Sequence, residues 1–144
     1  MVMTYKEPLI QIETFRQPLA THSHCSLLHG YALSFSFKFG CEQLDDKNWV
    51  VDFGGLKELK AWLKDNFDHK ITVSKDDEQI DRILKLQDEG LAEVVVMNGV
   101  GCEKFAEHAF HFANDLVSKK TNGKCYCVSC EVREHGANSA IYEG

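Results

Sequence analysis

The chain has fewer basic than acidic residues and no long apolar run. Its first residues also lack the positively charged stretch followed by an apolar one that is typical of a signal peptide. Sixteen Lys and Arg residues against 22 Asp and Glu residues give a net charge of −6, so there is no basic footprint for nucleic acid. No apolar run reaches the roughly 18 residues that cross a bilayer. Because residues 1–7 also lack the layout of a signal peptide, we expect a cytoplasmic protein that binds neither nucleic acid nor membrane.

The sequence also lacks internal repeats, low-complexity tracts and any linker long enough to divide it. A length of 144 residues, 44% of them hydrophobic, is sufficient for a substantial core. We therefore predict a single domain over residues 1–144. A cytoplasmic chain with a full core needs no disulfide framework, so the six cysteines are expected to be reduced thiols.

Three of the cysteines, Cys125, Cys127 and Cys130, have a spacing that could suit a zinc knuckle. If this segment is a strand, alternation places Cys125 and Cys127 on one face and Cys130 on the other. Such an arrangement favours packing in the core over a shared metal ion.

The spacing of apolar residues predicts an α+β fold. Alternation is clearest from Tyr31 to Gly40, where the odd-numbered residues are apolar and predict a half-buried strand. Helices are predicted over about 54–66, 77–87 and 101–119, and extended segments up to Phe15 and over 71–74, 91–97, 125–133 and 138–142. Strand pairs flanking a helical layer are typical of an antiparallel sheet that helices cover on one face.

The stretch richest in reactive side chains is residues 21–31, between two predicted strands. It holds His22, His24, Cys25 and His29 within eight residues. A thiol among imidazoles is suited to a metal site or to an activated nucleophile. A solvated, histidine-rich loop is the alternative.

Two further polar groupings stand at the ends of predicted elements. Asp68 and His69 end a helix, and Glu134 and His135 end a strand. Cys, His and Asp together can form a relay in which a carboxylate orients an imidazole that exchanges protons with a thiol. The alternatives are a histidine favoured at a helix terminus by the dipole and a solvated carboxylate in a turn.

Taken in order, these residues resemble the 6-pyruvoyl-tetrahydropterin synthase and 6-carboxytetrahydropterin synthase family. Residues 25–31 (CSLLHGY) resemble its C-x-x-x-H-G-H motif, and residues 52–57 (DFGGLK) match its D-F-x-x-L-K helix start. Residues 67–69 (FDH) match its L-D-H motif, residues 103–106 (EKFA) its E-x-x-A helix opening, and Glu134 its strand-end glutamate. The five motifs span nearly the whole chain.

The resemblance implies a tunnelling fold, a four-stranded antiparallel sheet with helices packed on one face. It further implies a homo-oligomer, a hexamer or tetramer, with active sites between subunits. The implied activity is that of a lyase on dihydroneopterin triphosphate, with zinc as cofactor, giving 6-carboxy- or 6-pyruvoyl-tetrahydropterin. The spacing from Cys25 to His29 resembles the carboxy-forming branch, which feeds the synthesis of 7-deazaguanine compounds such as queuosine.

The family's site residues carry over position by position. Cys25 corresponds to the thiolate that abstracts a proton, and Asp68 and His69 to the relay on the other face of the substrate. Glu134 corresponds to the carboxylate that accepts from the pterin ring, which fits physically because an anionic acceptor matches two parallel donors.

The metal ligands are where the chain departs from the family, which binds zinc through three histidines. His29 matches the first histidine of H-G-H, but Tyr31 replaces the second and is a poor zinc ligand. The remaining ligand position is Arg16 if the hairpin keeps the family length, or His22 if it is shorter. Either His22 or His24 completes a zinc site with His29, or zinc is lost and a pterin or purine pocket remains.

Overall fold

The computed structural model describes residues 1–144, which form one mixed sheet and three α-helices. The strands are β1 (Val2–Lys6), β2 (Gln11–Phe15), β3 (His29–Cys41), β4 (Lys70–Ser74), β5 (Val94–Met97), β6 (Cys125–His135) and β7 (Asn138–Tyr142). The α-helices are α1 (Lys57–Phe67), α2 (Ile80–Asp88) and α3 (Cys102–Lys120), and short 3₁₀ helices lie at His24–Ser26 and Phe53–Leu56. None of the helices combines the length and apolarity needed to cross a bilayer.

The α+β prediction is confirmed, but the prediction of a four-stranded antiparallel sheet is wrong. The sheet has seven strands in the order β5-β4-β2-β3-β6-β7, and β1 pairs with β3. Strand β4 runs parallel to β2, and β5 runs parallel to β4. The reason is that residues 70–97 form a strand–helix–strand unit, and a crossover through a helix makes its two strands parallel.

The core lies between β3 and the helices α1 and α3. As the alternation predicts, Leu33, Phe35, Phe37 and Phe39 of β3 are fully buried. Helix α1 packs Leu59, Leu63 and Phe67 on this face of the sheet, and α3 packs Phe105, Ala109 and Ala113. Full burial of each phenylalanine contributes roughly 2–3 kcal/mol to folding, so this layer fixes the sheet against the helices.

A β-bulge at Val128 changes which side of β6 faces the core. Lys38 pairs with Ser129 and Phe39 pairs with Cys127, so Val128 has no partner on β3. One unpaired residue shifts the alternation of all that follow. Cys130 is therefore opposite Phe37 on the core side, with Cys125 and Cys127. The prediction that Cys130 faces the other way is wrong, whereas packing of these cysteines in the core is confirmed.

Strand β2 buries two polar side chains, Gln11 and Glu13, on the same face as Phe15, and exposes the apolar Ile12. Gln11 and Glu13 are 2% and 0% exposed, whereas Ile12 is 54% exposed. One carboxylate oxygen of Glu13 accepts from the backbone N–H of Thr72 (3.1 Å) and from its hydroxyl (2.6 Å). The other oxygen has no partner, and burial raises the pKa of this carboxyl to about 8. Glu13 is thus a buried acid that holds its proton at neutral pH.

Candidate active site

Residues 16–28 connect β2 to β3, as predicted, and carry Cys25. The backbone N–H of Gln17 donates to the Cys25 carbonyl at 2.7 Å, which closes the loop. The Ser23 hydroxyl oxygen accepts from the Cys25 N–H at 3.2 Å and caps the short 3₁₀ helix. These contacts fix the backbone of Cys25, and its side chain remains half-buried.

Beside this loop, aromatic rings from β2 and β3 form one wall of the site. His29 and Tyr31 lie on the same face of β3, with ring centroids 5.2 Å apart and planes at 87°. The Phe15 ring lies 5.0 Å from His29 and 5.9 Å from Tyr31. His29 Nδ1 is 2.7 Å from the Leu27 carbonyl. Because a carbonyl only accepts, Nδ1 carries a proton and the neutral ring presents Nε2 as an acceptor.

Glu134 faces this wall from the end of β6, beneath the N-terminus of α3. The Cys102 thiol donates to the Val132 carbonyl at 3.0 Å and so joins the first turn of α3 to β6. Burial raises the pKa of the Glu134 carboxyl and Glu103 adds to the effect, whereas His135 and His29 lower it. Glu134 is therefore a partly desolvated acid within electrostatic reach of His29.

Tyr31 lies at the centre of this group. Burial raises the pKa of its phenol, and the charges of Glu134 and Cys25 raise it further. The ring centroid of His135 lies 6.5 Å from that of Tyr31. Cys25, His29, Tyr31 and Glu134 thus belong to one neighbourhood, as required if they are to act on one ligand.

Asp68 and His69 lie elsewhere in the chain, on the side of β2 that faces β4. One Asp68 carboxylate oxygen accepts from the Ile12 N–H (3.2 Å) and lies 3.0 Å from His69 Nδ1. The His69 N–H donates to the Ile12 carbonyl at 2.7 Å and holds a backbone with φ of 57°. The His69 side chain is 72% exposed, so an oriented imidazole presents Nε2 outward.

The two groups are separated along β2. Asp68 and His69 bind at Ile12, whereas Cys25 binds at Gln17. Gln17 lies two residues beyond the end of β2, so five residues of chain, at most roughly 16 Å, separate the two attachment points. Within one chain, Cys25 acts on Tyr31 together with Glu134, whereas no hydrogen bond joins Cys25 to Asp68 or His69.

The predicted zinc ligands do not form a preassembled site. No three His, Cys, Asp or Glu side chains converge closely enough to hold a metal ion, and His22 and His24 are exposed on the loop. Arg16 Nη1 lies 3.4 Å from Asp77 Oδ1. The residues present thus do not fit the three-histidine site that the resemblance implies, and zinc binding stays a prediction.

No sequence motif assigns a function to three residues that lie near the site or support it. Gly101 precedes α3 with φ of 110°, Cys102 anchors that helix, and Glu13 is the register partner of Tyr31. The E-x-x-A motif marks Glu103 as part of a helix start, but only the fold places it beside Glu134. Burial of a carboxylate in β2 could not be inferred, because Ile10 and Ile12 suggest the opposite face.

A cleft of about 1000 Å³ elsewhere in the chain contains none of the predicted site residues. It lies at the far end of β3, between residues 41–46 and 120–124. Cys25, Tyr31 and Glu134 are each partly exposed in a single chain.

Comparison with known proteins identifies the family. The family model of 6-pyruvoyl tetrahydropterin synthase matches residues 10–144. A 6-carboxy-5,6,7,8-tetrahydropterin synthase of Rickettsia felis is 24% identical over 121 residues, which are 83% of this chain and 85% of the relative.

Solved structures show the same fold. An uncharacterized protein of Wolinella succinogenes superposes with a TM-score of 0.78 at 16% identity, over 99% of this chain and 98% of that one. A variant of Plasmodium vivax 6-pyruvoyltetrahydropterin synthase gives a TM-score of 0.70 at 14% identity, over 99% and 96%. Since the family model covers all but the first nine residues, the chain belongs to the 6-pyruvoyl tetrahydropterin synthase family.

Proposed function

We propose that the protein is a lyase that acts on dihydroneopterin triphosphate and forms 6-carboxy- or 6-pyruvoyl-tetrahydropterin. The observation that carries this proposal is the grouping of Glu134 with His29, Tyr31 and Cys25, in a chain of this family. The named relative from Rickettsia felis favours the carboxy product.

Glu134 binds the pterin ring. A partly buried carboxylate accepts from the ring N–H and the exocyclic amino group, and charge-assisted bonds of this kind are stronger than neutral ones. His29 and Tyr31 offer aromatic surface beside it, and the buried Phe15 ring supports both. This combination fits a flat, polar-edged heterocycle.

Cys25 and the Asp68–His69 pair exchange the protons. The Cys25 thiolate takes a proton from a side-chain carbon of the substrate, and the triphosphate leaves with the electrons of its C–O bond. The His69 imidazole, oriented by Asp68, exchanges protons on the other face of the substrate. Because no hydrogen bond joins Cys25 to Asp68 or His69 within one chain, we propose that Asp68 and His69 come from a neighbouring subunit of a homo-oligomer.

Turnover of dihydroneopterin triphosphate tests the function, with product identified by mass. Cys25→Ala should abolish it, since the abstracting base is removed. Cys41→Ala is the matched control, because Cys41 is a buried thiol at the other end of β3. Full activity of Cys25→Ala would remove this residue from the mechanism.

Mixing two inactive variants tests the shared site. When Cys25→Ala and His69→Ala chains are unfolded together and reassembled, about a quarter of the sites should regain both residues if each site joins two subunits. Mixed assemblies that stay inactive would contradict a site between subunits.

A second candidate is a pterin- or purine-binding protein without turnover. Tyr31 at a zinc-ligand position and the absence of three converging ligands favour it. Metal analysis and the absorption spectrum of protein purified without chelator distinguish the two. Bound pterin or purine, with no zinc and no turnover, would support the binding protein.

A further inference from the structure

If the hairpin keeps the family length, two of the family's three zinc-ligand positions hold Arg16 and Tyr31 in place of histidine; with a shorter hairpin, His22 takes the first position and only Tyr31 departs. Arg16, in the first position at family hairpin length, is paired with Asp77, a carboxylate that is 2% exposed. A guanidinium remains protonated and has no lone pair for a cation. Tyr31 occupies the third position.

The Tyr31 hydroxyl is well placed to meet a ligand. Its ring packs edge-on to His29 and lies 5.9 Å from Phe15, which fixes the ring in the site. Glu134 and Cys25 both act on it electrostatically, whereas no hydrogen bond within the chain does. A half-buried phenol without a partner in the chain is a free donor.

We propose that the Tyr31 hydroxyl donates a hydrogen bond to an oxygen of the substrate side chain, and that turnover needs no divalent cation. The inference rests on the proposed lyase function. In this proposal Tyr31, a hydrogen-bond donor, occupies the position at which the family has a zinc-ligating histidine.

The reaction needs a preorganised hydrogen-bond donor that stabilises negative charge on a substrate oxygen. The side-chain hydroxyl next to the ring first becomes a carbonyl by tautomerisation with the adjacent C=N bond of the pterin. When the next C–H bond breaks and its proton passes to the Cys25 thiolate, the electron pair passes to that carbonyl oxygen as an enolate, which then expels the triphosphate with the electrons of its C–O bond. A fixed O–H in a partly desolvated site stabilises that charge, and the proton stays on Tyr31. His29 Nε2, with Nδ1 held by Leu27, accepts from a second substrate hydroxyl.

Two substitutions at Tyr31 separate the phenol from a metal. Tyr31→Phe removes only the hydroxyl, and Tyr31→His restores H-G-H. Wild-type turnover should be equal in excess EDTA and in added Zn²⁺. Tyr31→Phe should lower kcat about 100- to 1000-fold with little change in KM, and Tyr31→His should be inactive in EDTA. Tyr142→Phe, which loses a phenol bonded to His111, should retain the wild-type rate.

Three results would overturn the proposal. The first is loss of wild-type turnover in EDTA with recovery on adding zinc. The second is wild-type kcat in Tyr31→Phe, and the third is full activity of Tyr31→His in EDTA.

Ligand binding decides the role of Tyr31 even if the wild type has no turnover, an outcome that would refute the lyase. Neopterin carries side-chain hydroxyls that 6-methylpterin lacks. In EDTA, Tyr31→Phe should weaken neopterin binding about tenfold and leave 6-methylpterin binding unchanged. An equal effect on both ligands, or no effect on either, would show that Tyr31 makes no such hydrogen bond.

Discussion

Burial of Glu13 in β2 should make the unfolding free energy of the protein depend on pH. The Glu13 side chain is fully buried, and one carboxylate oxygen lacks a partner. Burial raises the pKa from 4.5 to about 8. Between these values the folded chain keeps a proton that the unfolded chain releases. The stabilising contribution is therefore complete below about pH 4.5 and is lost as pH rises to about 8, at roughly 1.4 kcal/mol per pH unit.

The substitution that tests this is Glu13→Gln. Glutamine keeps the oxygen that accepts from the two Thr72 donors and resembles the protonated acid at every pH. From pH 5 to pH 8 the wild type should lose about 3.5 kcal/mol of unfolding free energy that the variant keeps. Urea unfolding followed by circular dichroism across this range measures the difference.

Two further variants define the result. Glu42→Gln removes an exposed carboxylate and should run parallel to the wild type. Thr72→Val removes a hydrogen bond that lowers the pKa of Glu13, so it should raise that pKa further and extend the loss to higher pH. Equal pH slopes for the wild type and Glu13→Gln would refute the argument, because they would mean that the carboxylate is ionised in the folded protein.

Three other predictions concern the site and its supports. Ellman's reagent should react quickly with one thiol per chain, Cys25, and with the other five only after unfolding, because those five are buried; two or more fast thiols would contradict the packing. Gly101→Ala should lower the unfolding free energy, measured in urea, by about 1–2 kcal/mol. The reason is that φ of Gly101 is 110° and that a Cβ there would lie 2.4 Å from the side-chain amide nitrogen of Gln17. Glu134→Gln should weaken neopterin binding about 10- to 100-fold in a fluorescence titration, whereas Glu131→Gln should not; equal affinities would exclude Glu134 as the pterin acceptor.

The sequence was most informative where one face of an element is uniformly apolar. Strand β3 could be predicted because every second residue from Leu33 to Phe39 enters the core, and α1 because Leu59, Leu63 and Phe67 recur at helical spacing. The order of the motifs likewise indicates the family from the sequence alone.

Features that depend on long-range pairing could not be predicted. The parallel pairing of β4 with β2 depends on where β3 and α1 carry the chain, and no local pattern encodes it. In β2 the apolar Ile12 is exposed and Glu13 is buried, because Thr72 supplies hydrogen bonds from a strand 59 residues away. Periodicity alone assigns these two side chains to the wrong faces.

The site residues were predicted as types and positions, but not as neighbours. The structure places Glu134 near His29 and Tyr31, which the motifs imply only through the resemblance. It also attaches Asp68 and His69 to Ile12 and Cys25 to Gln17, contacts that chain order does not reveal.

The unpaired Val128 decides which residues of β6 lie opposite the core residues of β3. Cys127 already pairs with Phe39 and Ser129 with Lys38, so deleting Val128 would close the ladder and leave Val132 opposite Phe35. Taking Val128 into the ladder opposite Lys38 would instead move every later partner by one residue, set Val132 opposite Ser34 and turn it out of the core. The strand that leads to Glu134 is thus insensitive to loss of this residue, whereas a change that pairs it would invert that strand and alter no residue of the site itself.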